Sequence, residues 1–296
     1  MKYLYYVGCL IPSRLNQYDL ATRKVLGRLG VELVDLEDTS CCGTVLVRSI
    51  DAKTNLTMSA RILALAENKG LELLVTCPGC YESLREAHEV FMENPGFREE
   101  ANRILMEIDN ICFSGKDNIV KHLIQVLYND IGLDRIKNIV VNPLKGLKVA
   151  VHYGCHILRP SEKVKIDNAE TPKILDDLVR ITGAESIHWM LKLWCCGFPI
   201  QAIDRSLSLS IAGMKLRSAK DAEADCIVTV CPSCQFQFDI LQSEISKLTG
   251  EQYSMPVLLY PQLLGLAMGL GPEDVGLNLN RSSVDKFLQR LKELEK

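Results

Sequence analysis

The chain is short of positive charge and of clean apolar runs, and each shortage closes off a class of function. Its 34 lysines and arginines face 37 aspartates and glutamates, for a net charge of −3 and a pI near 6.0. With no basic block there is no electrostatic footprint for nucleic acid. The longest apolar stretch, residues 255–270, is broken by Pro256, Pro261, Gly265 and Gly269, so no membrane span is expected. The opening run up to Gly8-Cys9 has too little apolar length for a secretory signal. A glycine-rich nucleotide-binding fingerprint is also missing. At 47% hydrophobic and 24% charged residues, the 296-residue chain has the composition of a soluble globular protein with room for two domains.

Cysteine is abundant instead, with twelve copies. In a small secreted chain they would form disulfides. A chain of this size without a signal points to a reducing cytoplasm, where clustered cysteines mean metal or redox chemistry. Ten of the twelve fall into one pattern used twice. Gly8-Cys9, Cys41-Cys42-Gly43 and Cys77-Pro78-Gly79-Cys80 are matched by Gly154-Cys155, Cys195-Cys196-Gly197 and Cys231-Pro232-Ser233-Cys234. The gap from Cys42 to Cys77 is 34 residues, and so is the gap from Cys196 to Cys231. From Cys9 to Cys41 it is 31, against 39 from Cys155 to Cys195. This is an internal duplication. Cys112 and Cys226 stand outside it and are expected to be ordinary core thiols.

Each pattern element follows a predicted strand. Strands are expected at 3–7, 31–36, 71–76, 147–153, 184–189 and 226–230, and helices at 19–29, 55–68, 171–182 and 207–222. A further helix is expected to open at each Cys-Pro-x-Cys, where an early proline is tolerated. A connector over 91–146 holds predicted helices at 99–108 and 118–128, and a tail helix follows Ser282. Strands alternating with helices predict α/β layers with parallel sheets. Such sheets place ligand sites outside the carboxyl ends of their strands, where the cysteines lie. The expected division is a first lobe with helical connector over 1–146 and a second lobe with tail helix over 147–296, packed about a pseudo-twofold axis.

Thiolates select zinc, copper(I) or iron–sulfur units. Structural zinc wants four ligands, and five cysteines overfill it. Adjacent thiolates suit different irons of one cluster, so an iron–sulfur unit is the better reading, with zinc or buried thiols as the alternative. The glycine after each pair lets backbone approach the group.

On these motifs the chain resembles the cysteine-rich CCG domain, and over both halves it resembles the heterodisulfide reductase B subunit. Val151-His152-Tyr153-Gly154-Cys155-His156, the connector around His122 and Tyr260-Pro261-Gln262-Leu263-Leu264-Gly265-Leu266 share in the likeness. The resemblance implies two Rossmann-like lobes and two noncubane 4Fe–4S clusters at strand ends. Cys9, Cys41, Cys42, Cys77 and Cys80 would hold one, and Cys155, Cys195, Cys196, Cys231 and Cys234 the other. It also implies cleavage of the coenzyme M–coenzyme B disulfide, or a similar small-molecule disulfide, between them. Two partners would complete the complex, one a ferredoxin-like iron–sulfur subunit, the other a flavin-containing subunit. One departure bears on substrate: Gly43-Thr44-Val45-Leu46 lacks the proline that Pro199 supplies in the second copy. CCG domains also resemble electron-transfer subunits of sulfur-oxidising, lactate, glycolate and succinate oxidoreductase complexes, which is the alternative function. His156, beside a cysteine ligand, is the candidate proton donor, and Lys192 the candidate for lowering thiolate pKa or steering an anion. Gly43, Thr44 and Phe198 are expected to line the pocket with them. His152 is expected to pack in its strand, and His88, His122 and His188 carry no motif.

Overall fold

The computed structural model describes residues 1–115 and 120–294. Strands β1 (Lys2–Tyr6), β2 (Glu32–Asp35), β3 (Leu73–Val75) and β4 (Val120–His122) form one sheet in the order β2-β1-β3-β4. Strands β5 (Lys148–His152), β6 (Glu185–Ser186), β7 (Cys226–Thr229) and β8 (Val257–Leu259) form a second in the order β6-β5-β7-β8. Every pairing is parallel. The repeat seen in the cysteines is therefore a repeat of sheet topology. Two of the four inner strands, β3 and β7, are buried throughout. That is the continuous apolar run a parallel sheet covered on both faces requires.

The crossover helices start alike. Asp51 accepts from the Lys53 and Thr54 amides to begin Ala52–Lys69, and Asp204 accepts from Leu207 N–H to begin Arg205–Asp221. Each satisfies amides that the first turn leaves unpaired. Cys77 and Cys231 are the N-cap residues of the helices Pro78–Glu93 and Pro232–Gln235, with nearly equal backbone angles (φ −103°, ψ 119° and φ −108°, ψ 121°).

Two expectations are corrected. Of the helix expected over 118–128, residues 118–119 lie outside the described residues, and Val120–His122 is the edge strand β4, parallel to β3. The helix begins only at Leu123 and continues as a π-helical turn, Val126–Ile131. Its apolar spacing extends back through Val120, which hides a three-residue strand. The second half has the same corner. Within the broken apolar stretch lie strand β8 and the helix Tyr260–Ala267. In both copies a glutamine closes the strand-to-helix corner. Gln125 Oε1 accepts the His122 N–H at 2.9 Å, and Gln262 Oε1 accepts the Leu259 N–H at 3.0 Å. Second, the Ser282 hydroxyl, expected to cap the tail helix, accepts the Val257 N–H of β8 at 3.0 Å. The tail helix itself runs Val284–Leu294 and buries Phe287.

The halves are packed together by side chains from both. One apolar cluster runs through residues of both sheets. The Tyr18 hydroxyl lies 2.9 Å from Thr76 O and 2.6 Å from Val230 O, the carbonyls just before Cys77 and Cys231. Helix Asn16–Arg28 of the first half packs on helix Tyr260–Ala267 of the second, with Gly265 beside Val25. In return, Tyr128 of the first half donates to Asp177 at 3.3 Å, in the helix Ile174–Arg180 of the second. No helix among the described residues is long and apolar enough to cross a membrane.

Candidate functional site

In the first half, three strand ends bring cysteines together. Cys9 follows β1, the pair Cys41-Cys42 follows β2, and Cys77 follows β3. Cys41 Sγ lies 3.5 Å from Cys9 Sγ, and Cys42 Sγ lies 3.4 Å from Cys80 Sγ. The Gly43 N–H points at Cys41 Sγ at 3.3 Å. Asn55 fixes the loop by donating to Cys42 O at 2.9 Å. Gly8 is a close approach: a methyl there would sit 3.2 Å from Cys80 Sγ.

The second half repeats the plan after β5, β6 and β7. Gly197 N–H points at Cys195 Sγ at 3.4 Å, and Ser208 Oγ donates to Gly197 O at 2.9 Å. The turns match as well, with φ 81° at Gly43 and φ 86° at Gly197. Cys9 and Cys195 are exposed, whereas Cys42, Cys80, Cys196, Cys231 and Cys234 are buried.

The electrostatics of the two sets also correspond. Hydrogen bonds from the Cys42 and Cys9 thiols, aided by the Gly43 N–H, hold Cys41 down at about 2. The Cys155 and Cys196 thiols do the same for Cys195, also at about 2. Their donors move the other way: Cys9, Cys42, Cys155 and Cys196 are all raised, chiefly by the thiolate each faces. Contact with the Cys80 thiol lowers Cys77. Thiolates crowded this closely repel, so ionising a whole set requires positive charge among the sulfurs.

The donor set fits an iron–sulfur group, whose irons would supply that charge. Each half offers five soft sulfurs on three loops and a glycine N–H aimed at one of them, and in the first half Gly8 brings backbone close to Cys80 Sγ. Among the described residues, no three His, Cys, Asp or Glu side chains converge as they would on a single metal ion. The sulfurs of the first set approach one another in pairs instead.

A cavity of about 400 Å³ opens between the halves. The first half lines it with Thr44, Val45, Leu46, Cys77 and Gly79; the second gives all five of its pattern cysteines, His156, Phe198 and Arg205. His156, Thr44 and Phe198 are thus where the sequence puts them. His156 Nδ1 faces Glu82 Oε2 at 3.6 Å across the seam, and Arg48 donates to Glu82 Oε1 at 2.7 Å. Gly43 and Lys192 are not among the lining residues. Lys192 Nζ is bound to both oxygens of buried Asp176, at 2.6 and 2.7 Å, and lies 5.4 Å from the centre of the Tyr153 ring. An ammonium held this way is not free to meet an anion in the cavity. Cys226 is buried in β7 as expected, its thiol pushed up by burial, but Cys112, expected in the core, is exposed.

Two residues beside the second set escape sequence reasoning. His152 packs as expected, but its Nε2 lies 3.2 Å from Cys234 Sγ. Burial holds its pKa well below the usual 6.5. Lys215, which belongs to no sequence motif, is 1% exposed. Its Nζ donates to Trp194 O at 2.9 Å and to Leu191 O, and burial brings it down to about 8. The available signal was positional: Lys215 matches Arg61, each 19 residues after the second cysteine of its pair.

Comparison with known proteins bears on the family. The cysteine-rich domain (CCG) family model matches residues 3–85 and 149–239. The B subunit of the Ferredoxin/F(420)H(2)-dependent CoB-CoM heterodisulfide reductase of Methanosarcina acetivorans is 37% identical over 290 residues, covering 97% of this chain and 96% of that one. The 8-methylmenaquinol:fumarate reductase membrane anchor subunit of Wolinella succinogenes is 32% identical over 279 residues, 94% of this chain and 96% of that one. A crystal structure of a hypothetical protein from Helicobacter pylori superposes with a TM-score of 0.75 at 17% identity, over 95% of this chain and 52% of that one. At that identity it bears on the fold alone.

Proposed function

The chain belongs to the CCG-domain family of the heterodisulfide reductase B subunit, and from that premise we propose that it is where a small-molecule disulfide is reduced. One observation carries the reading: the cavity between the halves is lined by pattern cysteines from both, Cys77 on one side and all five of the second set on the other. Cys9, Cys41, Cys42, Cys77 and Cys80 would hold one noncubane 4Fe–4S cluster, and Cys155, Cys195, Cys196, Cys231 and Cys234 a second. When bound, each would supply one electron and a thiophilic iron. The reaction takes two electrons and two protons and yields two thiols.

The chain's own residues do the rest. Val45, Leu46 and Phe198 give the cavity an apolar wall for the substrate. His156, held against Glu82, presents a ring nitrogen from which a departing thiolate can take a proton. Reciprocal packing of Asn16–Arg28 on Tyr260–Ala267 and of Tyr128 on Ile174–Arg180 supports two Rossmann-like lobes about a pseudo-twofold axis, divided near residues 146 and 147. Electrons would come through two cytoplasmic partners, one a ferredoxin-like iron–sulfur subunit, the other a flavin-containing subunit. The coenzyme M–coenzyme B disulfide is the first substrate to try, since the name of the Methanosarcina acetivorans relative carries it.

A second reading makes the chain an electron-transfer subunit of a fumarate reductase-like complex, favoured by its likeness to the Wolinella succinogenes protein. Electron paramagnetic resonance separates the two. Anaerobically prepared protein, oxidised with and without coenzyme M, should give a signal that depends on the thiol. The same spectrum with and without thiol, from protein that contains iron and sulfide, would leave only electron transfer.

A further inference from the structure

The two cysteine sets match position for position, but their surroundings do not. Arg61 and Lys215 occupy equivalent positions on the two crossover helices, and each ties down the loop before its cysteine pair. Arg61 Nη1 donates to Asp38 O at 2.7 Å, as Lys215 Nζ does to Trp194 O at 2.9 Å. There the likeness ends. Arg61 is 19% exposed and ion-paired with Asp109. Lys215 is buried, and its partners are two carbonyls and the Trp189 ring, 4.7 Å away. Among the described residues, no carboxylate pairs with it.

A second exchange lies three residues before the first cysteine of each set, where Tyr6 corresponds to His152. The Tyr6 hydroxyl donates to Ser40 O at 2.9 Å. His152 instead puts Nε2 3.2 Å from Cys234 Sγ. A metal-bound thiolate can only accept, so the nitrogen facing it is placed as a donor.

We propose that Lys215 and His152 set the second cysteine set at the higher reduction potential, so that an electron entering the chain rests there first. This rests on the reading that each half holds an iron–sulfur cluster. Reduction adds one negative charge to such a group, and nearby positive charge and hydrogen bonds to its sulfurs favour that state. A buried cation without an anion is costly, and a thiolate-held cluster is the anion that compensates Lys215. Lys215 acts electrostatically on Cys234, Cys196, Cys155 and Cys195. The deeper burial of the second set opposes reduction. A whole charge in the low-dielectric interior is the larger influence, because solvent does little to screen it.

The test is an anaerobic potentiometric titration followed by electron paramagnetic resonance, with iron and sulfide counted on every sample. Wild-type protein should show two separate reduction steps. In Lys215→Met and in His152→Tyr, which copies Tyr6, the upper step should move to more negative potential. Lys215→Arg should keep it in place, and Arg61→Met should leave it unmoved. Overlapping steps in the wild type, or equal shifts in Lys215→Met and Arg61→Met, would overturn the proposal. If Lys215→Met loses iron, His152→Tyr decides alone: an unmoved upper step overturns the proposal. Wild-type protein without iron and sulfide would instead remove the two-cluster reading, and the proposal with it.

Discussion

Glu82 is a carboxylate 1% exposed at the seam between the halves. Burial pushes its pKa up, but His156 and Arg48 outweigh that and hold it below the usual carboxylate range. A group with a lowered folded pKa contributes stability above its unfolded value, and that contribution fades as pH falls through the folded value. Glu82→Gln should therefore cost about 1–3 kcal/mol near neutral pH. The gap from wild type should narrow below about pH 4. Urea unfolding of the two metal-free proteins across that range checks this, and a gap that widens in acid would refute it. Cysteine roles are tested by iron content. Cys112→Ser and Cys226→Ser should keep it, while Cys42→Ser and Cys196→Ser should lose it from one half. Cys226 faces core rather than a loop, so loss of iron in Cys226→Ser would mean that the ligand set is misassigned.

Among the elements, the turns after the cysteine pairs are the most constrained. Gly197 has φ 86°, and a Cβ there would sit 2.7 Å from Ser208 O, a backbone atom that cannot swing aside. Gly197→Ala should cost about 1–3 kcal/mol in stability. It should also lower iron content in the second half, since Gly197 N–H would lose its aim at Cys195 Sγ. Full stability and full iron would show that the turn is not under this constraint. These turns were legible in the sequence because Cys-Cys-Gly is a rare string repeated at matching distance. Strands β4 and β8 were not. Each has three residues, too few to show a period of two, and each runs straight into a helix whose apolar spacing absorbs it. Lys192, Lys215 and His152 were beyond sequence reasoning for another reason. Asp176 claims Lys192 from 16 residues away, and Cys234 meets His152 from 82 residues away, contacts that only the tertiary fold creates.

At the scale of the whole molecule, duplication does the organising. Two sheets of the same order each send three cysteine-bearing loops from their strand ends. Tyr18, between Thr76 O and Val230 O, joins the two Cys-Pro-x-Cys turns directly. The cavity lies where the two halves meet, which is the arrangement a two-sulfur substrate requires. All of this depends on each half carrying its own cluster, and composition tests that most directly. Protein made and purified without oxygen should contain about eight irons per chain, with acid-labile sulfide in similar amount. Stoichiometric zinc without acid-labile sulfide would contradict the account.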